Sequence, residues 1–279
     1  MMLAPEQGFR DGTIMADGLA LHYLDWGEAG RPPLLLLHGL SANAHTWDDY
    51  ARELRGRFQV LALDQRGHGD SAWSPEAAYS TFDFMADLAV CADALGLPPL
   101  TIIGSSMGGR NALAYAACYP DRVARLVVVD IGPARDPEAP PTPPDPNREE
   151  APMTFASFDE AVAWMQQIYP TRSPELCRHR VYYNTRVLPD GRLGWKWDPA
   201  LYARMRTGED LWPLMPEVRC PTLLLRGEQS TVLTRRTAER MVATLPRCRL
   251  VEVPEVGHNI FTDRPDVFQR VVDAFLAEA

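Results

Sequence analysis

The chain has 279 residues, 46% of them hydrophobic and 23% charged, with a formal net charge of −9. That length and apolar content suffice for one large buried core, and the excess of acid over base argues against the clustered Lys and Arg surface that nucleic acid or anionic lipid requires. The cysteines, Cys91, Cys118, Cys177, Cys220 and Cys248, are odd in number and scattered without a C-x-x-C pair, which argues against a disulfide framework or a zinc site and for a reducing, cytoplasmic setting.

Residues 1–10 contain Glu6, Gln7 and Arg10 and no apolar h-region, and no later run approaches the roughly 18 apolar residues of a membrane span, so neither secretion nor a membrane partner is expected. Short apolar runs at 34–37, 60–63, 100–103, 126–129, 223–225 and 250–253, bounded by Gly, Pro or Asp, read as buried strands. Helical patterns at 82–95, 109–117 and 237–245 separate them, and 265–276 reads as a closing helix with Asp263 as its N-cap. Strand and helix in alternation predict a doubly wound α/β core built on a mostly parallel sheet, with helices on both faces.

The alternation breaks once, between Asp130 and Thr222. Pro133, Pro137, Pro140, Pro141, Pro143, Pro144 and Pro146 cannot feed a helix or sheet ladder and predict an extended connector. Ser157 with Glu160 has the spacing of a capping box ahead of a helix over 161–168, and further helices are expected within 174–187 and 199–206. Residues 133–216 therefore read as a helical cap inserted over the carboxyl ends of the strands of a core formed by 1–132 and 217–279. Trp164, Tyr169, Tyr182, Tyr183, Trp195, Trp197 and Trp212 make that insertion aromatic; such rings stack on substrates or pack a cap onto its core.

Chemistry concentrates at Gly104-x-Ser106-x-Gly108, directly after one predicted strand and before an Ala-rich helix. A nucleophile on so sharp a strand-to-helix turn needs small neighbours on both sides, and the helix N-terminus behind it favours developing negative charge. Leu34-Leu-Leu-Leu-His-Gly-Leu40, Leu63-Asp-Gln-Arg-Gly-His-Gly-Asp-Ser71 and Val256-Gly-His258 accompany it. Together these motifs resemble the α/β-hydrolase family from residue 34 to the last helix, and the resemblance implies an eight-stranded type of sheet carrying a Ser-acid-His triad.

On that resemblance Ser106 is the nucleophile and His258 the general base, while the backbone N–H groups of Leu40 and Met107 form the oxyanion hole. His38 and His68 belong to turn motifs that hold loop geometry, as does Asp64; His22, His45 and His179 have no motif support. The acid is less direct. In much of the family it follows the late strand, but in Leu225-Arg-Gly-Glu-Gln-Ser-Thr231 that position is Ser230. Asp130, at the end of the preceding core strand, is taken as the acid, with Glu228 as its competitor.

A serine at the elbow implies acyl transfer through an acyl-enzyme, and carboxylic ester hydrolysis of a small molecule is the reading adopted. The alternatives are an amide (C–N) hydrolase acting on a small carboxylated metabolite, a ligand sensor without turnover, and a cofactor-free perhydrolase. For a carboxylated substrate, Arg110, Arg135, Arg148 and Arg172 are the candidate anchors. No metal or organic cofactor is expected, since H-E-x-x-H, phosphate loops and dinucleotide fingerprints are absent from the sequence.

Overall fold

The computed structural model describes residues 8–139, 151–205 and 208–278. Its strands are β1 (Arg10–Ala16), β2 (Leu19–Asp25), β3 (Pro33–Leu37), β4 (Gln59–Leu63), β5 (Leu100–Ser105), β6 (Val123–Val129), β7 (Thr154–Phe155), β8 (Thr185–Val187), β9 (Leu193–Trp195), β10 (Thr222–Gly227) and β11 (Cys248–Val253). Among the described residues eight of them form one sheet in the order β1-β2-β4-β3-β5-β6-β10-β11. From β4 to β11 all neighbours are parallel, while β1 and β2 join the edge antiparallel.

Side-chain alternation divides the core into two layers. In β6, Leu126 and Val128 face one layer with α2 (Thr81–Ala94), α3 (Met107–Cys118) and α7 (Arg235–Thr244), whereas Val127 and Val129 face the other with α1 (Asp48–Leu54) and α9 (Pro265–Leu276). Both faces of a central strand are thus dry, which is why these strands are continuous apolar runs in the sequence. Each fully buried Leu or Val stabilises the fold by about 1.5–3 kcal/mol relative to exposure.

The hairpin β1–β2 is absent from the sequence reading, although Asp17-Gly18 joins the two strands with both φ positive, at 47° and 80°. Asp-Gly between alternating segments is a strong type I′ signal. Of the predicted helix starts, Ser157 does accept a hydrogen bond from Glu160 N–H at 3.2 Å, opening α4 (Phe158–Ile168), but the Glu160 carboxylate takes Ala156 N–H at 2.6 Å, so only half of the capping box forms. A complete box stands instead at α2, between Ser80 and Asp83.

Asp263 is not the N-cap of the closing helix. It ends the short helix α8 (Ile260–Asp263), its N–H bonded to Asn259 C=O at 2.9 Å, and Arg264 precedes α9 without a side-chain cap. The helix expected within 174–187 is α5 (Pro174–Asn184), which stops where β-branched Thr185 and Val187 leave as β8. β8 pairs with β9, and β9 with β7, in a small antiparallel sheet the sequence reading lacks. The helix expected over 199–206 is α6 (Ala200–Met205). The prolines at 140–146, Arg148 and Arg206 lie outside the described residues. Among the described residues no helix is long and apolar enough to cross a membrane.

Candidate active site

β5 ends at Ser105 and α3 begins at Met107, which leaves Ser106 alone on the turn with φ 52° and ψ −121°. A side chain at positive φ is strained, and the surroundings enforce it: Ser106 N–H donates to Val129 C=O at 2.9 Å and Ser106 C=O accepts from Arg110 N–H at 3.1 Å. Glycine is required on both sides. A Cβ on Gly104 would lie 2.5 Å from Gly108 O, and one on Gly108 would lie 2.5 Å from Leu37 O.

His258 comes from the loop after β11 and Asp130 from the end of β6. Ser106 Oγ lies 2.9 Å from His258 Nε2, and His258 Nδ1 lies 2.7 Å from Asp130 Oδ2. A carboxylate can only accept, so Nδ1 carries the ring proton and Nε2 is left to accept from the Ser106 hydroxyl. Asp130 is fully buried and, like Ser106, held at positive φ, 52°. Its Oδ1 accepts Gly227 N–H at 3.0 Å and its Oδ2 also accepts from the Ser230 hydroxyl.

Ser230 is the contributor missed in the sequence reading. Its Oγ already accepts the N–H groups of Val232 and Leu233, at 3.1 and 3.2 Å, so its single proton must point at Asp130. The signal was a hydroxyl standing where much of the family carries the acid. Glu228 makes no hydrogen bond with His258: it is exposed and accepts Glu255 N–H at 3.0 Å.

The loop that follows β3 packs against the same serine, since a Cβ on Gly39 would fall 3.3 Å from Ser106 Cβ. His38 fixes that loop. Its buried Nε2 accepts Gln65 N–H at 3.0 Å, so Nδ1 carries the proton and donates to Gly39 C=O at 2.7 Å. In a trans peptide C=O and N–H point oppositely, so drawing Gly39 C=O to the ring turns Leu40 N–H away from it. Gln65 in turn donates to His38 C=O and accepts from Asn111 of α3, each at 2.7 Å. Met107 is the first residue of α3, where an N–H has no intrahelical acceptor.

A profile of the alpha/beta hydrolase fold matches residues 32–174. The chain belongs to the α/β-hydrolase family. It is 30% identical to the 3-hydroxybutyrate-oligomer hydrolase of Cupriavidus necator over 92% of this chain and 93% of that one. It is also 30% identical to an esterase of Mycobacterium tuberculosis, over 92% and 86% of the two chains. Among solved structures, E-2-(acetamidomethylene)succinate hydrolase superposes with a TM-score of 0.88 at 26% identity, covering 97% of this chain and 100% of that one.

The remaining motif residues of this α/β-hydrolase are structural. Asp64 accepts the N–H groups of Ala44 and Asp70, at 2.6 and 2.9 Å, and pairs with His22 at 2.8 Å. Arg66 forms a bidentate pair with Asp87, both contacts 2.6 Å. His68 is fully buried beside His38, and burial pushes it down to about 3, so it stays neutral. Burial likewise lowers His38. Among the described residues His22, Asp64 and Asp70 have the reach to hold a cation, but Asp64 is already committed to the contacts above. His45 and His179 share Asp48, each at 3.0 Å, and thereby tie α5 to α1.

Of the candidate basic anchors, Arg110 donates to Thr81 Oγ1 at 3.2 Å and to Glu209 C=O, while Arg135 is exposed. Arg172 is buried. The aromatics of the insertion mostly pack on each other: Trp195 lies 5.2 Å from Phe155 and 5.7 Å from Trp164, in one apolar cluster with Met107, Trp197 and the flank of Leu40.

Proposed function

We propose that the protein is a serine hydrolase that cleaves a small-molecule carboxylic ester through an acyl-enzyme on Ser106, with His258 as general base and Asp130 as the triad acid. The observation that carries this is the continuous hydrogen-bond chain Ser106–His258–Asp130 on a strained strand-to-helix turn. Ser106 Oγ attacks the acyl carbon as its proton passes to His258 Nε2, and Asp130 stabilises the imidazolium. Oxygen of the tetrahedral intermediate takes the N–H groups of Met107 and Leu40, which need no reorganisation to receive it. Collapse expels the alcohol with the proton from His258, and a water deprotonated by the same ring then releases the acid.

In this reading residues 133–216 cap a core of 1–132 and 217–279 and set selectivity. The seam between them joins an apolar cluster to polar contacts: Tyr79 of the core donates to Asp198 at 2.5 Å, and Asn184 donates to Ser41 C=O at 2.7 Å. Five unpaired cysteines fit a cytoplasmic setting.

Amide cleavage is the second reading, favoured by the likeness to the (acetamidomethylene)succinate hydrolase. Intact-mass analysis after a fluorophosphonate probe tests both, alongside paired 4-nitrophenyl esters and anilides. One adduct on Ser106, with turnover lost in Ser106→Ala, is the expected result. Turnover confined to the anilides would favour the second reading, and absence of an adduct would remove both.

A further inference from the structure

We infer that Arg172 and Arg180 form an anion subsite at the substrate cleft that takes a carboxylate carried by the substrate beside its scissile bond, an inference that rests on the serine-hydrolase reading above. Each guanidinium has a buried nitrogen, Nη1 of Arg172 and Nε of Arg180, without a hydrogen-bond partner among the described residues. Buried donors of a charged group are expensive to leave unsatisfied, so two of them on neighbouring cations point to a ligand that completes them.

The contacts of the pair run to segments that flank the candidate triad. Arg180, on α5, donates through Nη2 to Thr262 at 3.2 Å. Thr262 belongs to α8, the short helix that directly follows the His258 loop. Arg180 also lines a cavity with Ala42, Asn43, Tyr183 and Asn184, and Ala42 continues the loop that carries Leu40. Arg180 thus touches the helix that follows His258 and shares a cavity with the loop that follows Leu40. The Arg172 guanidinium lies 3.5 Å from the centroid of the Tyr169 ring, and that ring packs on the apolar cluster that contains Met107 and borders Leu40.

Among the described residues the charges around the pair leave a positive surplus. Burial and then the charge of Arg172 pull Arg180 down to about 10. Asp263 is the carboxylate that senses both cations, and burial still raises it above its ordinary value. Among the described residues, one acid against two guanidinium groups leaves room for a second anion, and a carboxylate matches their planar forks in geometry as well as charge.

The test combines a binding measurement that needs no turnover with a ratio of rates. Titration calorimetry of succinate into Ser106→Ala, and into the same protein with Arg172→Met or Arg180→Met, reads the subsite directly. The expected result is binding that weakens at least about tenfold in each arginine variant, the loss of one charge-assisted hydrogen bond or more. In parallel, the ratio of kcat/KM for mono-4-nitrophenyl succinate over 4-nitrophenyl butyrate falls by a similar factor. If a methionine variant fails to fold, Arg172→Lys and Arg180→Lys keep the charge but lose the fork, and the same weakening is expected in smaller measure. Absence of succinate binding to the folded parent, or equal affinity in the variants, overturns the subsite. Failure of the hydrolase reading would register separately, as a missing fluorophosphonate adduct on Ser106.

Discussion

Which carboxylate serves the imidazole is decided at single atoms. Asp130 accepts from His258, from Gly227 N–H and from the Ser230 hydroxyl, whereas Glu228 serves a surface turn. Replacing Asp130 by Asn keeps the shape but presents an amide where only an acceptor holds the productive tautomer, so kcat is expected to fall by about 10⁴. Glu228→Gln should stay within a few-fold of the parent, and steady-state ester hydrolysis by the two purified variants checks both; the reverse order would hand the role to Glu228. Ser230→Ala takes one donor from Asp130, and the loss of one hydrogen bond of about 1 kcal/mol should lower kcat by about fivefold, which the same assay reads. The elbow serine and its glycines were legible because each is forced by local geometry, while Ser230 was not, because its value lies in a contact spanning β6 and β10.

At the scale of elements, the turn between β4 and α2 shows how a motif can be structural and still govern the site. Arg66 reaches α2 to pair with Asp87, and both side chains are nearly dry. Its Nη1 also donates to Ala78 C=O at 3.0 Å. Arg66→Met would leave Asp87 buried without its partner, a loss of about 3–5 kcal/mol. Urea unfolding followed by circular dichroism measures it, and a midpoint equal to the parent's would mean that Asp87 finds water or another donor. The central strands and the helices between them were readable from periodicity because they are dry on both faces. The antiparallel sheet of β7, β8 and β9 was not, since strands of two or three residues carry no periodic signal and the surrounding Pro, Tyr and Trp residues read equally well as helix ends.

For the molecule as a whole, stability should depend on pH through His22. Burial disfavours its charged form, but the hydrogen bond and charge of Asp64, with Asp11 and Asp70 behind them, outweigh this and raise the ring to about 9 from an ordinary 6.5. The folded state therefore holds the proton more tightly than the unfolded chain. Its contribution is complete below pH 6.5, declines as pH rises, and is gone above pH 9. Urea midpoints across this interval should fall in the parent and fall less in His22→Gln; parallel curves would show that His22 is not the group responsible.

The sequence by itself determined the α/β class, the strands of the buried sheet, the elbow at Ser106 and the identity of His258 as the ring to test, because each follows from local pattern or a short motif. Tertiary structure alone decided the rest. It put Asp130, and not Glu228, within reach of His258 by closing a contact between residues 128 positions apart, and it set Leu40 N–H by anchoring Gly39 C=O to His38. It also buried one nitrogen of Arg172 and one of Arg180 without a hydrogen-bond partner among the described residues. The physical reason is that backbone preference and hydrophobic period are properties of neighbours in the chain, whereas the partner of a buried charge is whatever the packed fold places within hydrogen-bond reach.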